Sequence, residues 1–98
     1  MVKFGIIGIG HIGKRHAQHI LQNKDASLVA ICDIDSSKQQ ALKSELVADI
    51  PFYIDYNDML ANENLDVVCI CTPNYLHSEQ AVAVLTKNVH AVVEKPMA

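Results

Sequence analysis

Gly8-Ile9-Gly10-His11-Ile12-Gly13 places three glycines in a G-x-G-x-x-G turn, a spacing that can bring backbone amides against a phosphate. The turn stands between an apolar run, Phe4-Gly5-Ile6-Ile7, and a segment of helical period. The amides and the positive dipole end of that helix would therefore face whatever the turn holds. In such a setting Gly8 permits the tight turn, Gly10 lets backbone approach a pyrophosphate, and Gly13 lets the helix pack closely on the strand. A side chain at position 10 would occupy the phosphate site, and His11 and Ile12 would add their amides to it. The plain alternative is a strand-to-helix turn whose glycines serve packing only.

A second residue narrows the ligand. Asp33 comes twenty residues after Gly13, at the end of the next apolar run, where a dinucleotide site needs an acceptor for the adenosine ribose hydroxyls. A carboxylate there accepts bonds from both hydroxyls of NAD and repels the 2′-phosphate of NADP. The next basic residue, Lys38, is expected several positions into a helix. NAD is thus the expected cofactor, NADP the disfavoured one, with Ile34 beside Asp33 joining the cofactor-binding set. The plain reading of Asp33 is a helix cap, although Asp35 is better placed for that task.

Such a site needs alternating strands and helices, and the chain supplies them. Strands are predicted at 4–7, 27–32, 52–54, 65–71 and 89–93. From Gly13 the period changes, with Gly13, Ala17, Ile20 and Leu21 on one helical face and Lys14, Arg15, Gln18 and Gln22 on the other. Asp35 or Ser36 can cap a second helix with Ala41, Leu42 and Leu46 as its buried stripe, and Pro51 ends that connection. Tyr56 to Leu60 reads as a turn or two of helix; Asn74 is placed to cap a long one running to about Lys87. Asn88 then stands where a helix often closes on a left-handed residue. The order predicts the α/β class, a Rossmann doubly wound parallel sheet with helices on both faces.

Composition excludes several functions. The 98 residues allow one domain, and with 50% apolar and 19% charged residues they can fill one core without metal or disulfide staples. A net charge of −3, with no basic cluster beyond Lys14-Arg15, excludes the footprint of nucleic-acid binding. No apolar stretch reaches the roughly 20 residues of a membrane span, and the amino terminus lacks the apolar core of a signal peptide, so a cytoplasmic protein is expected. Cys32, Cys69 and Cys71 lie in β-branched runs that suit buried, reduced thiols. The C-x-C pair in a strand lacks zinc-site spacing, and His16 and His19 on one helical face, like His11, read as solvated surface, so no metal is expected.

Two further segments, Cys71-Thr72-Pro73-Asn74-Tyr75-Leu76-His77 and Val93-Glu94-Lys95-Pro96, join the glycine turn in a pattern that resembles the Gfo/Idh/MocA oxidoreductases over the whole chain. The name covers glucose-fructose oxidoreductase, inositol dehydrogenase and rhizopine catabolism proteins. The resemblance implies that Thr72, Pro73 and Asn74 line the cofactor crevice, that His77 stands close by, and that Glu94 and Lys95 reach toward the nicotinamide ribose and the substrate. Lys95 is the implied catalytic residue, its ammonium hydrogen-bonding a reacting carbinol and stabilising alkoxide character as hydride leaves. The trio at 72–74 also suits a simple strand-to-helix turn.

By the same resemblance, residues 1–98 are the dinucleotide-binding domain. A second domain outside them would choose the substrate and build much of a homo-oligomer interface, so a fragment of a longer protein is expected. Apolar surface would then be left uncovered and favour self-association. The implied activity is hydride transfer between NAD and a carbinol of a sugar, sugar nucleotide, inositol or related polyol. Thr72 to His77 tilt it toward UDP-N-acetylated sugars oxidised at C3. A non-catalytic NAD-binding regulator of the same fold is the alternative, which retention of Glu94-Lys95-Pro96 disfavours. A methyltransferase can imitate the glycine turn and the acid, but Thr72-Pro73-Asn74 and Lys95 argue against it.

Overall fold

Five apolar segments pair as parallel strands in the order β3-β2-β1-β4-β5 in a computed structural model that describes residues 1–46, 49–72 and 74–93, with backbone alone described at 41, 45, 46 and 74–77. The strands are β1 (Val2–Ile7), β2 (Ala26–Cys32), β3 (Phe52–Tyr53), β4 (Val67–Ile70) and β5 (His90–Val93). Between them run α1 (His11–Gln22), α2 (Lys38–Leu46), α3 (Tyr56–Asn62) and α4 (Asn74–Thr86). Strand order reverses on the two sides of β1, where β2 lies on one flank and β4 on the other. At such a reversal the loops leaving the strand ends diverge and open a crevice.

Alternation along the strands fills both faces of the sheet. Ile6, Ile31 and Cys69 point to one face, where they pack with Ile9, Ala17, Ile20, Leu28 and Leu42. Ile7, Ala30, Cys32, Val68 and Ile70 point to the other, against Met59, Leu60, Val84 and Val89 from the α3 and α4 side. Each fully buried Ile, such as Ile6 or Ile70, contributes on the order of 2 kcal/mol of transfer free energy. The sheet is therefore pinned from both sides at β1, the strand that carries the glycine turn.

Several expected boundaries move. β1 and β2 extend back to Val2 and Ala26, because the Val2 amide donates to the Asp25 carbonyl at 3.0 Å and the ladder starts there. β3 ends at Tyr53, one residue short of expectation, leaving Ile54 about half exposed. β4 is shorter than the apolar run 65–71. Leu65 packs in the core ahead of it, and Cys71 lies beyond its end, half-buried, while Cys32 and Cys69 are buried as expected.

Leu21 does not join the buried face of α1. It sits at the margin of the stripe and is 40% exposed, whereas Gly13, Ala17 and Ile20 are buried. Asp35 does hold the entry to α2, its Oδ1 accepting from the Ser37 amide at 3.0 Å and the Ser37 hydroxyl at 2.6 Å. These bonds hold the Asp35 carboxyl below its usual range. Leu42 is buried as expected; the side chains of Ala41 and Leu46 lie outside the described set. Asn74 is the first residue of α4 rather than the residue ahead of it, and position 73, where a cap would stand, lies outside the described residues. Asn88 adopts φ 60°, the left-handed closure expected of it.

Candidate functional site

The glycine turn is stitched to both neighbours of β1. The Gly8 amide donates to the Cys32 carbonyl at the end of β2, and the Cys71 amide just past β4 donates to the Ile7 carbonyl, each at 2.8 Å. Gly8 has φ +90°, a conformation side chains rarely adopt, and a Cβ there would lie 2.7 Å from Thr72 Cγ2. Gly13 is required for a different reason: a Cβ would meet the Gly8 carbonyl oxygen at 2.2 Å, so α1 can sit this close to β1 only over a bare Cα.

Gly10 differs from both. Its φ of −76° and ψ of −157° are open to any L-residue, and a Cβ built on it meets nothing within 4 Å. Nothing in the protein itself requires glycine there. The first bond of α1 runs from the Lys14 amide to the Gly10 carbonyl at 2.9 Å, so the amides of His11, Ile12 and Gly13 precede the helix's own bonding. A helix N-terminus with a bare residue before it and open space beside it fits a pyrophosphate.

Asp33, 8% exposed, faces this turn across the end of β2. Its Oδ2 accepts from the Ile9 amide at 2.9 Å and its Oδ1 from the Asp35 amide at 2.9 Å, while its own amide donates to the Tyr53 carbonyl at 3.0 Å. Asp33 does not cap α2, whose entry Asp35 holds; its carboxylate braces its own loop and lines the cleft. Lys38 departs from expectation. It opens α2, and its Nζ reaches back to Asp33 Oδ2 at 3.3 Å. A carboxylate offers about four lone-pair positions, and three are taken here.

These residues line a cleft of about 290 Å³, bounded by Gly8, Ile9 and Gly10 on the turn, Cys32, Asp33, Ile34 and Lys38 beyond β2, and Cys71 and Thr72 beyond β4. Ile34 stands 86% exposed at its lip, an apolar ledge suited to an adenine ring. Ile54, Tyr56 and Gln80 complete the wall, and sequence reasoning singled out none of them for the site. Gln80 carried the one available signal, a polar residue on the inward side of a helix otherwise facing the core. Burial pushes the Tyr56 hydroxyl upward, helped by its 3.2 Å bond to Glu79. Cys32 is pushed up to about 12 by burial and by the charge of Asp33, so its thiol stays protonated in the cleft floor.

Residues 2–98 match the family GFO_IDH_MocA, described as an oxidoreductase family with an NAD-binding Rossmann fold. The chain belongs to it. Inositol 2-dehydrogenase of Salmonella typhimurium is 35% identical over 98 residues, 99% of this chain and 29% of that protein. Scyllo-inositol dehydrogenase from Lactobacillus casei, solved with NAD(H) and scyllo-inositol, superposes with a TM-score of 0.87 at 31% identity over 98% of this chain and 28% of that one. The WlbA dehydrogenase from Bordetella pertussis, in complex with NADH and UDP-GlcNAcA, gives 0.87 at 39% identity over 99% and 29%. The chain spans less than a third of the length of these relatives.

Of the residues the sequence nominated, Gly8, Gly10, Asp33, Ile34 and Thr72 meet at the cleft of this Rossmann domain. Gly13 packs behind it, while His11 and Ile12 present the α1 terminus rather than lining side chains. Asn74 and His77 lie in α4 with only their backbone described; Pro73, Glu94 and Lys95 lie outside the described residues. Among the described residues no three or more His, Cys, Asp or Glu side chains gather as a metal site, and no helix is long and apolar enough to cross a membrane.

Proposed function

We propose that residues 1–98 form the dinucleotide-binding domain of an NAD-dependent dehydrogenase acting on a carbinol of a sugar, sugar nucleotide, inositol or related polyol. The observation that carries this reading is Gly10, a glycine without an internal reason, set between an exposed helix N-terminus and open space. The amides of the turn and of the first turn of α1 would hold a pyrophosphate in that space. Ile34 would offer its exposed side chain to the adenine, and the Asp33 carboxylate would accept from the hydroxyls of the adenosine ribose. A 2′-phosphate would meet the buried Asp33 carboxylate, which supports NAD over NADP.

Bound NAD supplies the acceptor for a hydride. The family resemblance assigns Pro73, Asn74 and His77 to the cofactor crevice alongside Thr72, and Glu94 and Lys95 to the nicotinamide ribose and the substrate. Lys95 would hydrogen-bond the reacting hydroxyl and stabilise the negative charge that grows on its oxygen as the hydride leaves to NAD, with the hydroxyl proton passing to a base outside residues 1–98. The relatives that act on inositol, or bind a UDP-sugar acid, support a cyclic polyol or sugar as substrate, and the higher identity to WlbA tilts the choice toward a UDP-N-acetylated sugar. Substrate choice and the homo-oligomer interface are assigned to a second domain outside residues 1–98. The burial of Cys32 and Cys69 in the sheet suits reduced thiols and supports a cytoplasmic compartment.

Assaying NADH formation by the intact protein against inositols, glucosides and UDP-N-acetylated sugars tests the reading. Turnover lost in Lys95→Met with NAD binding retained is the expected result. Binding of NAD without turnover of any carbinol would instead support a non-catalytic regulator.

A further inference from the structure

Gln80 is 5% exposed on α4, in the wall of the cleft, at a position where a leucine or methionine would bury more cheaply. Its Oε1 accepts a hydrogen bond from the hydroxyl of Thr72, the second residue beyond the β4 end, which lines the crevice beside Cys71. Thr72 in turn fills the space above Gly8: a Cβ on Gly8 would lie 2.7 Å from Thr72 Cγ2 and 3.0 Å from the Cys71 carbonyl. A chain of contacts therefore runs from α4 through Thr72 to the one glycine of the turn with positive φ. A buried amide that spends its acceptor on a neighbouring hydroxyl adds little net stability, since both groups could bond water when unfolded. Its effect is to choose one rotamer of Thr72.

We infer that Gln80 is a positioning residue for the cofactor. Through its bond to the Thr72 hydroxyl it holds the Thr72 methyl against Gly8 and keeps the glycine turn in the shape that receives the pyrophosphate. The inference rests on the NAD-binding reading of the same cleft. It differs from a packing role in one measurable way: cofactor affinity depends on Gln80, whereas fold stability does not.

The test is a double-mutant cycle in the intact protein with NADH fluorescence titration and thermal melting. Gln80→Leu removes the acceptor and keeps the bulk. Thr72→Val removes the hydroxyl and keeps a methyl toward Gly8. Each single variant is expected to weaken NADH binding about tenfold, the loss of one buried hydrogen bond. The double variant should be no weaker than the singles, and Gln80→Leu should melt at or above the wild-type temperature. Wild-type affinity in Gln80→Leu, or a double variant weakened by the product of the singles, would overturn the link. So would a Gln80→Leu that fails to fold, with Thr72→Val then binding NADH normally. No NADH binding by the wild type would instead remove the cofactor reading, and this inference with it.

Discussion

On the β2 side of β1 the crevice is closed by hydrogen bonds that all involve backbone amides: the Gly8 amide on the Cys32 carbonyl, the Ile9 and Asp35 amides on the Asp33 carboxylate, and the Asp33 amide on the Tyr53 carbonyl. On the β4 side the described contacts include the Cys71 amide on the Ile7 carbonyl and the side-chain pair of Thr72 with Gln80, beside β5, an outer strand whose Val92 and Val93 are 44% and 42% exposed. α4 adds Val82 and Leu85, both more than half exposed. The β2 side is braced by its own loop, while the β4 side presents apolar surface. The difference suits a domain that grips its cofactor by one end and leaves the reactive end to be completed by other residues.

The sharpest way to break the closed side is Gly13→Ala. Backbone at 2.2 Å cannot yield as a side-chain tip would, so the variant should lose about 3 kcal/mol or fail to fold, as urea unfolding would show. Asp33→Ala comes next. It strands the Ile9 and Asp35 amides and should cost about 2 kcal/mol, with NAD affinity falling at least tenfold by calorimetry.

Cys32 gives the same side a pH signature. Its folded value of about 12 lies above the ordinary 9.0, so the neutral thiol is favoured by folding. That contribution is fully present below pH 9 and is lost as pH rises toward 12. In Cys32→Ala, urea midpoints measured between pH 9 and 11 should fall less steeply than in the wild type. An identical slope would show that Cys32 is not the group responsible.

The open side answers to a gentler change. Val93→Lys on the outer strand should alter stability by less than about 0.5 kcal/mol yet reduce concentration-dependent association in sedimentation, because a charge replaces apolar contact on an edge. Unchanged association would place the contact surface elsewhere.

The same contrast governs what could be read in advance. The β2 side was legible because its signals are local: a glycine spacing, an acid at a fixed distance, and apolar runs that alternate between two cores. Leu21 escaped because it sits at the edge of a helical stripe, where a small rotation decides burial. Lys38 was expected inside its helix and instead turns back onto Asp33, a contact set by where α2 begins. Ile54, Tyr56 and Gln80 reach the cleft only because β3, α3 and α4 fold over the strand ends, and no local spacing encodes that convergence. Cys71 read as strand interior and became cleft wall when β4 stopped at Ile70.

Gly10 decides the account, since it alone among the glycines of the turn has no structural need to be glycine. Titrating NAD into the wild type and Gly10→Ala by calorimetry, with urea unfolding of both, tests it most directly. The expected result is stability changed by less than about 1 kcal/mol, the capping and chain-entropy effects offsetting each other, with NAD affinity reduced at least tenfold. Equal NAD affinity in the two proteins would contradict the placement of the pyrophosphate, and with it the central reading of the cleft.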